Sequence, residues 1–104
     1  NGPTFINILA PCPRGWRTAE NQGMEITKLA VETNYWPLYE IEDGDNYNLN
    51  YKPKEQREIT DWLKPQGRFK HLFKEENKEI VDEIQAHVNK RWQRLLELCG
   101  EEEE

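Results

Sequence analysis

A chain of 104 residues with a formal charge of −6, 36% hydrophobic and 33% charged side chains can bury one modest core, as a small domain or as a piece of a larger one. Its basic residues are interleaved with acidic ones, which leaves no clustered basic face for nucleic acid. No apolar run approaches the ~18 residues of a membrane span and no signal-peptide pattern opens the chain, so the expectation is a soluble, cytoplasmic protein with no membrane partner.

Four Trp, four Tyr and three Phe argue against disorder and assign much of the burial to large aromatics. Residues 1–3, Asn-Gly-Pro, read as a turn. Residues 4–9, "TFINIL", follow as a short buried strand. The chain has no initiator methionine and passes almost at once into this strand, which reads as the middle of a domain. Cys12 comes next, between Pro11 and Pro13; each proline fixes its own φ and biases the residue before it toward extended geometry. Residues 19–33 predict a helix with Ile26, Leu29 and Ala30 on one face and Thr18 as its N-cap. "WPLYEI" over residues 36–41, then Tyr47, Leu49 and Tyr51 beyond the Gly-Asp-Asn cluster at 44–46, predict an extended hairpin. A short helix is expected over 55–63 through Ile59, Trp62 and Leu63, stopped by Pro65 and Gly67.

The clearest element is a long helix over 74–99. Val81, Ile84, Val88, Trp92, Leu95 and Cys99 form one apolar stripe that ends at Gly100 and is expected to pack on the first helix or the hairpin. Glu75, Glu76 and Glu79 near its start and Lys90, Arg91 and Arg94 near its end complement the helix dipole. Residues 1–99 thus form one unit, followed by a solvated acidic tail at 100–104, without whose four glutamates the formal charge is −2.

Cys12 is the one residue whose setting invites chemistry. A nucleophilic cysteine needs a base, and the two histidines, His71 and His87, sit in no recognisable hydrolase pattern. His87 reads as a surface position and His71 as a helix cap or a backbone hydrogen-bonding group. A closed zinc or iron-sulfur site needs four ligands, more than Cys12 and Cys99 supply. On these residues alone an ordinary or structural thiol is favoured over a ligand. A Cys12–Cys99 disulfide is allowed but not forced, and Cys99 continues the apolar stripe. There is no GxGxxG, Walker loop or thiamine diphosphate fingerprint. Glu40, Glu42 and Asp43 read as a solvated edge, and Trp16, Trp36, Trp62 and Trp92 as packing residues.

The blocks "GPTFINILAPCPRGW", "LAVETNYWPLYEIEDG" and "LKPQGRFKHL", followed by a charged helix, resemble in that order the C-terminal part of the thiamine diphosphate-binding beta subunits of the pyruvate:ferredoxin oxidoreductases, or pyruvate synthases, within the 2-oxoacid:ferredoxin oxidoreductases. The resemblance runs from Gly2 to about Leu98. It implies an α/β fragment in which a strand, a helix, an extended hairpin and two C-terminal helices complete a thiamine diphosphate-binding α/β domain. It also implies that Cys12 is the fourth ligand of a [4Fe-4S] cluster whose other three thiolates lie outside the chain. Backbone amides of Arg14, Gly15 and Trp16 would then reach cluster sulfurs, with the Arg14 charge nearby.

The implied partners are the remainder of the beta subunit and the other subunits of the complex. At the level of that complex they include ferredoxin, pyruvate and coenzyme A. The implied cofactors are the cluster and thiamine diphosphate with magnesium, none of them expected on this piece alone, which would be catalytically inert. The implied reaction is coenzyme A-dependent oxidative decarboxylation of pyruvate to acetyl-CoA. The rival reading is an independent protein-interaction module without catalysis, in which Cys12 is an ordinary loop thiol.

Overall fold

A computed structural model describes residues 2–100; Asn1 of the opening turn and Glu101–104 of the acidic tail lie outside them. Its elements are α1 (Pro13–Trp16), α2 (Gly23–Glu32), β1 (Tyr39–Glu42), β2 (Asn46–Leu49), α3 (Thr60–Leu63) and α4 (Lys78–Leu98), with 3₁₀ turns at Glu20–Gln22, Gly67–Phe73 and Glu75–Asn77. This is a small mixed α/β assembly whose described residues carry one sheet, the antiparallel pair β1–β2.

The strand expected over 4–9 does not form. That segment has no regular structure, and Phe5, Ile6 and Ile8 are 88%, 80% and 78% exposed. A strand satisfies its amides through a neighbour, and β1–β2 pair with each other rather than with this segment. Only Leu9, at its end, packs against the core.

The first helix is shorter than the 19–33 expected, because a 3₁₀ turn precedes α2. Thr18 does not cap it: its Oγ1 is buried without a hydrogen-bond partner, and no side chain caps the start of α2. Thr27 and Thr33 instead turn their hydroxyls back onto the carbonyls of Gly23 and Leu29, both at 2.8 Å. The helix ends where Asn34 takes a left-handed φ of 64° and the Trp36 amide donates to the Ala30 carbonyl. The hairpin forms, but its strands are shorter than the 36–41 and 47–51 expected: residues 36–38 and Tyr51 lie outside it, and Asn46 of the expected turn cluster opens β2. Asp43 and Gly44 both adopt positive φ, Asp45 N–H donates to Glu42 O, and Tyr39 faces Leu49 across the ladder.

Only the last turn of the helix expected over 55–63 is helical. Tertiary partners claim the groups before it: Ile59 N–H donates to Gln85 Oε1 at 2.7 Å, Arg57 N–H to the Glu32 carbonyl, and Gln56 Nε2 to Asn89 Oδ1. The long helix begins at Lys78 rather than 74, since Lys74 is extended between two 3₁₀ turns. It ends as read, with Cys99 at the C-cap and Gly100 at a φ of 73°.

The stripe of α4 meets both expected partners. Val81 and Val88 join Ile26 and Ala30 of α2 with Trp16, Ile59, Trp62, Leu63 and Leu72 in the main core. Trp92, Leu95 and Leu96 form a second cluster against Tyr47 and Leu49 of the hairpin, with Cys99 alongside. Removing this apolar surface from water, at about 25 cal/mol per Å², is the main force holding the helix to both.

One hydrogen bond on the outside of this assembly makes a pH-dependent prediction. The Tyr51 phenol donates to Glu32 Oε1 at 2.6 Å, and that bond, then burial and the carboxylate's charge, hold its pKa above the usual 10.0. A raised phenol pKa means that the fold favours the neutral form. The contribution is therefore complete below pH ~10 and is lost as pH rises through the higher folded value. Followed by its ring NMR signals, Tyr51 should titrate above an ordinary phenol, and Glu32→Ala should return it to the ordinary range. An unmoved transition in that variant would contradict the bond.

Candidate functional site

Pro11 and Pro13 place Cys12 in extended geometry, φ −130° and ψ 93°, at the N-cap of α1. Pro13 suits the first helical position because its missing N–H has no acceptor there, and the Trp16 amide closes the turn by donating to the Cys12 carbonyl at 2.8 Å. Cys12 makes no side-chain capping bond and its thiol is exposed. Arg17 then adopts the left-handed region, φ 56°, and Thr18 N–H returns to the Pro13 carbonyl at 3.0 Å.

Three glycines let other groups come close to this turn. A Cβ on Gly15 would stand 3.3 Å from Cys12 Sγ, so the glycine keeps space open beside the sulfur. Gly23 lets Pro11 rest on the start of α2, a Cβ there meeting Pro11 Cγ at 3.4 Å. Gly67 is the tightest: a Cβ would lie 2.6 Å from Arg17 Cβ, while its amide donates to the Arg17 carbonyl at 2.9 Å. The Cys12 turn is thereby held between α2 and the 3₁₀ turn Gly67–Phe73.

Trp16 anchors it from below. Its buried ring meets Trp62 edge-on, centroids 6.1 Å apart at 80°. Trp62 in turn stacks on Tyr35 at 4.1 Å and touches Phe69 at 5.8 Å. The four named residues of the resemblance therefore divide their tasks. Cys12 presents sulfur, Arg14 is exposed on the same turn, Gly15 clears space, and Trp16 has its amide committed to Cys12 and its ring in the core. Arg14 and Gly15 carry the first-turn amides that lack an acceptor within the helix.

Sequence reasoning missed Arg68. Its guanidinium lies 4.6 Å from the centroids of both Trp16 and Phe69 and 5.9 Å from Trp62. Its Nε donates to Gln66 Oε1 at 2.8 Å, and the buried Gln66 is itself fixed by donating Nε2 to the Trp62 carbonyl. Burial pushes the Arg68 pKa down, opposed by the Tyr35 phenol and the Cys12 thiol. The available signal was an arginine next to Phe69 just past a glycine; nothing in spacing connects it with Cys12.

The other candidates stay apart. Cys99 lies beside the second cluster and forms no disulfide with Cys12. His71 and His87 are exposed, as are Glu40, Glu42 and Asp43 on the hairpin. Among the described residues no three His, Cys, Asp or Glu side chains gather as a metal site, so any centre at Cys12 draws on one sulfur from this chain. No helix among them is long and apolar enough to cross a membrane.

The chain matches no family model. It is 48% identical over 99 residues to pyruvate synthase subunit PorB of Thermotoga maritima, an alignment covering 94% of this chain and 30% of that subunit. It is 40% identical over 112 residues to PorB of Pyrococcus furiosus, covering 91% and 33%. To the ketoisovalerate oxidoreductase subunit VorB of Pyrococcus horikoshii it is 44% identical over 99 residues, covering 94% and 30%. The chain is a homologue of part of the PorB and VorB subunits. It spans about a third of the length of these curated relatives. The PorB and VorB matches both cover more than nine-tenths of the chain, so the hairpin and the core around Trp62 belong to the shared part.

Proposed function

We propose that the chain is a segment of the thiamine diphosphate-binding beta subunit of a cytoplasmic 2-oxoacid:ferredoxin oxidoreductase that acts on pyruvate. Residues 1–99 are the C-terminal portion of that domain and residues 100–104 an acidic tail. The observation that carries this reading is the 48% identity to a PorB subunit over nearly the whole chain. In it, Cys12 is the fourth thiolate of a [4Fe-4S] cluster; the other three ligands, and the residues that hold thiamine diphosphate and its magnesium, belong to other parts of the subunit.

The Cys12 turn fits such a centre. It presents one exposed sulfur on a proline-stiffened backbone, beside the space that a Gly15 Cβ would fill. Arg14 and Gly15 offer amides to bound sulfurs, and Trp16 holds the turn through its ring. When bound, thiamine diphosphate supplies the carbon chemistry of decarboxylation and clusters pass electrons singly to ferredoxin. The exposed Phe5, Ile6 and Ile8 support the same reading, because a strand bearing them gains burial of about 1.5–3 kcal/mol per side chain once the rest of a sheet is beside it. An independent interaction module would use these side chains for a partner, but the identity favours the subunit.

The test is an assay of the complete subunit assembled with its partner subunits. Coenzyme A-dependent reduction of ferredoxin should proceed with pyruvate at a kcat/KM about tenfold or more above that with ketoisovalerate. Preference for ketoisovalerate would move the assignment to the VorB type, and no reduction with any 2-oxoacid would refute it.

A further inference from the structure

We propose that Arg68 is a positioning residue of the Cys12 turn, a fixed cation that stabilises the reduced state of the cluster ligated there and so raises its potential. The proposal rests on the reading of Cys12 as a ligand. Three observations carry it. The guanidinium is clamped 4.6 Å from the centroids of both Trp16 and Phe69 and tied through Nε to Gln66, so it has little freedom to swing into water. It sits over the very ring that anchors the turn, and the Trp16 amide is bonded to the Cys12 carbonyl at 2.8 Å. The surface ion pairs Arg57–Asp61 and Arg94–Glu97 leave Arg68 out, and its guanidinium bonds to the Gln66 amide oxygen rather than to a carboxylate.

The half-buried guanidinium has no carboxylate partner and is held by the faces of Trp16 and Phe69 and by the Gln66 oxygen, so its charge remains available to an anion bound at the turn. Arginine stays protonated at any working pH, so its charge is constant. Reduction adds one electron to the cluster, with no bond formed or broken and no proton required. The added negative charge is favoured by a cation held in a poorly solvated site.

The experiment uses the holoenzyme and an EPR-monitored redox titration of the signal that Cys12→Ala removes. Arg68→Met keeps the stem and its packing on the rings but deletes the charge, whereas Arg68→Lys keeps the charge. With iron content unchanged, Arg68→Met should lower the equilibrium constant for reduction about tenfold, a midpoint shift of about 59 mV to more negative values for one electron. Arg68→Lys should stay nearer the native midpoint. If Arg68→Met loses the centre, Arg68→Gln is read in its place. An unmoved midpoint with full iron, an equal shift in Arg68→Lys, or loss of the centre in both uncharged variants would overturn the electrostatic role. Full iron and an unchanged signal in Cys12→Ala would instead remove the ligand reading, whatever the Arg68 variants show.

Discussion

Cys12→Ala in the complete subunit is expected to lower bound iron by up to about four atoms per subunit while leaving the fold in place. The two effects separate because the thiol is exposed and makes no capping bond, so its loss touches nothing the fold depends on. A surface substitution of that kind falls within about 0.5 kcal/mol. A missing ligand is more serious than a missing outer contact, and outer contacts alone change metal affinity by about 10–100-fold. Electron transfer to ferredoxin should fall at least as far. Iron analysis, the EPR spectrum and a thermal melt on the same preparation decide it. Native iron with a native spectrum would mean that this sulfur is not a ligand, and a collapsed melt would mean that the turn is more structural than its exposure indicates.

The second large effect is at Trp62. It is 2% exposed and its ring joins Trp16, Tyr35 and Phe69, which links the Cys12 turn, the end of α2 and the Gly67–Phe73 segment to α3. Trp62→Ala removes that junction and should cost about 3–5 kcal/mol. Against a typical stability of about 5–15 kcal/mol, this removes a large share of the margin and, at the lower end of that range, all of it. Trp62→Phe is expected to be milder, for two reasons. It keeps most of the apolar ring, and it deletes an indole N–H that is buried without a partner. Urea unfolding followed by far-UV circular dichroism should show a large drop in midpoint for the alanine variant and a small one for phenylalanine. Equal costs for the two would show that the ring junction is not what holds these segments together.

What the sequence by itself determined was whatever depends on near neighbours along the chain. A glycine-centred polar cluster between two apolar, aromatic runs specifies a hairpin, and one formed there with its turn at Asp43-Gly44, one residue ahead of the 44–46 read from the sequence. The three-and-four spacing through Val81, Val88, Trp92 and Leu95 makes an apolar stripe, and Gly100 ends the helix because its φ of 73° suits glycine. The stiffness of Cys12 follows from two adjacent prolines.

Tertiary structure decided the rest. Residues 4–9 have the composition of a strand, but a strand exists only beside another, and none lies beside them. The helix expected over 55–63 shrank because Gln85 and Asn89 of α4 and the Glu32 carbonyl engage groups ahead of Thr60. Thr18 had a suitable side chain for capping, yet a 3₁₀ turn separates it from α2. Arg68 joined the Cys12 turn only because Gly67 fits against Arg17 and the rings of Trp16 and Phe69 meet around its guanidinium. Periodicity reports which face of one element is apolar; which distant side chains share a site depends on how those faces close on one another.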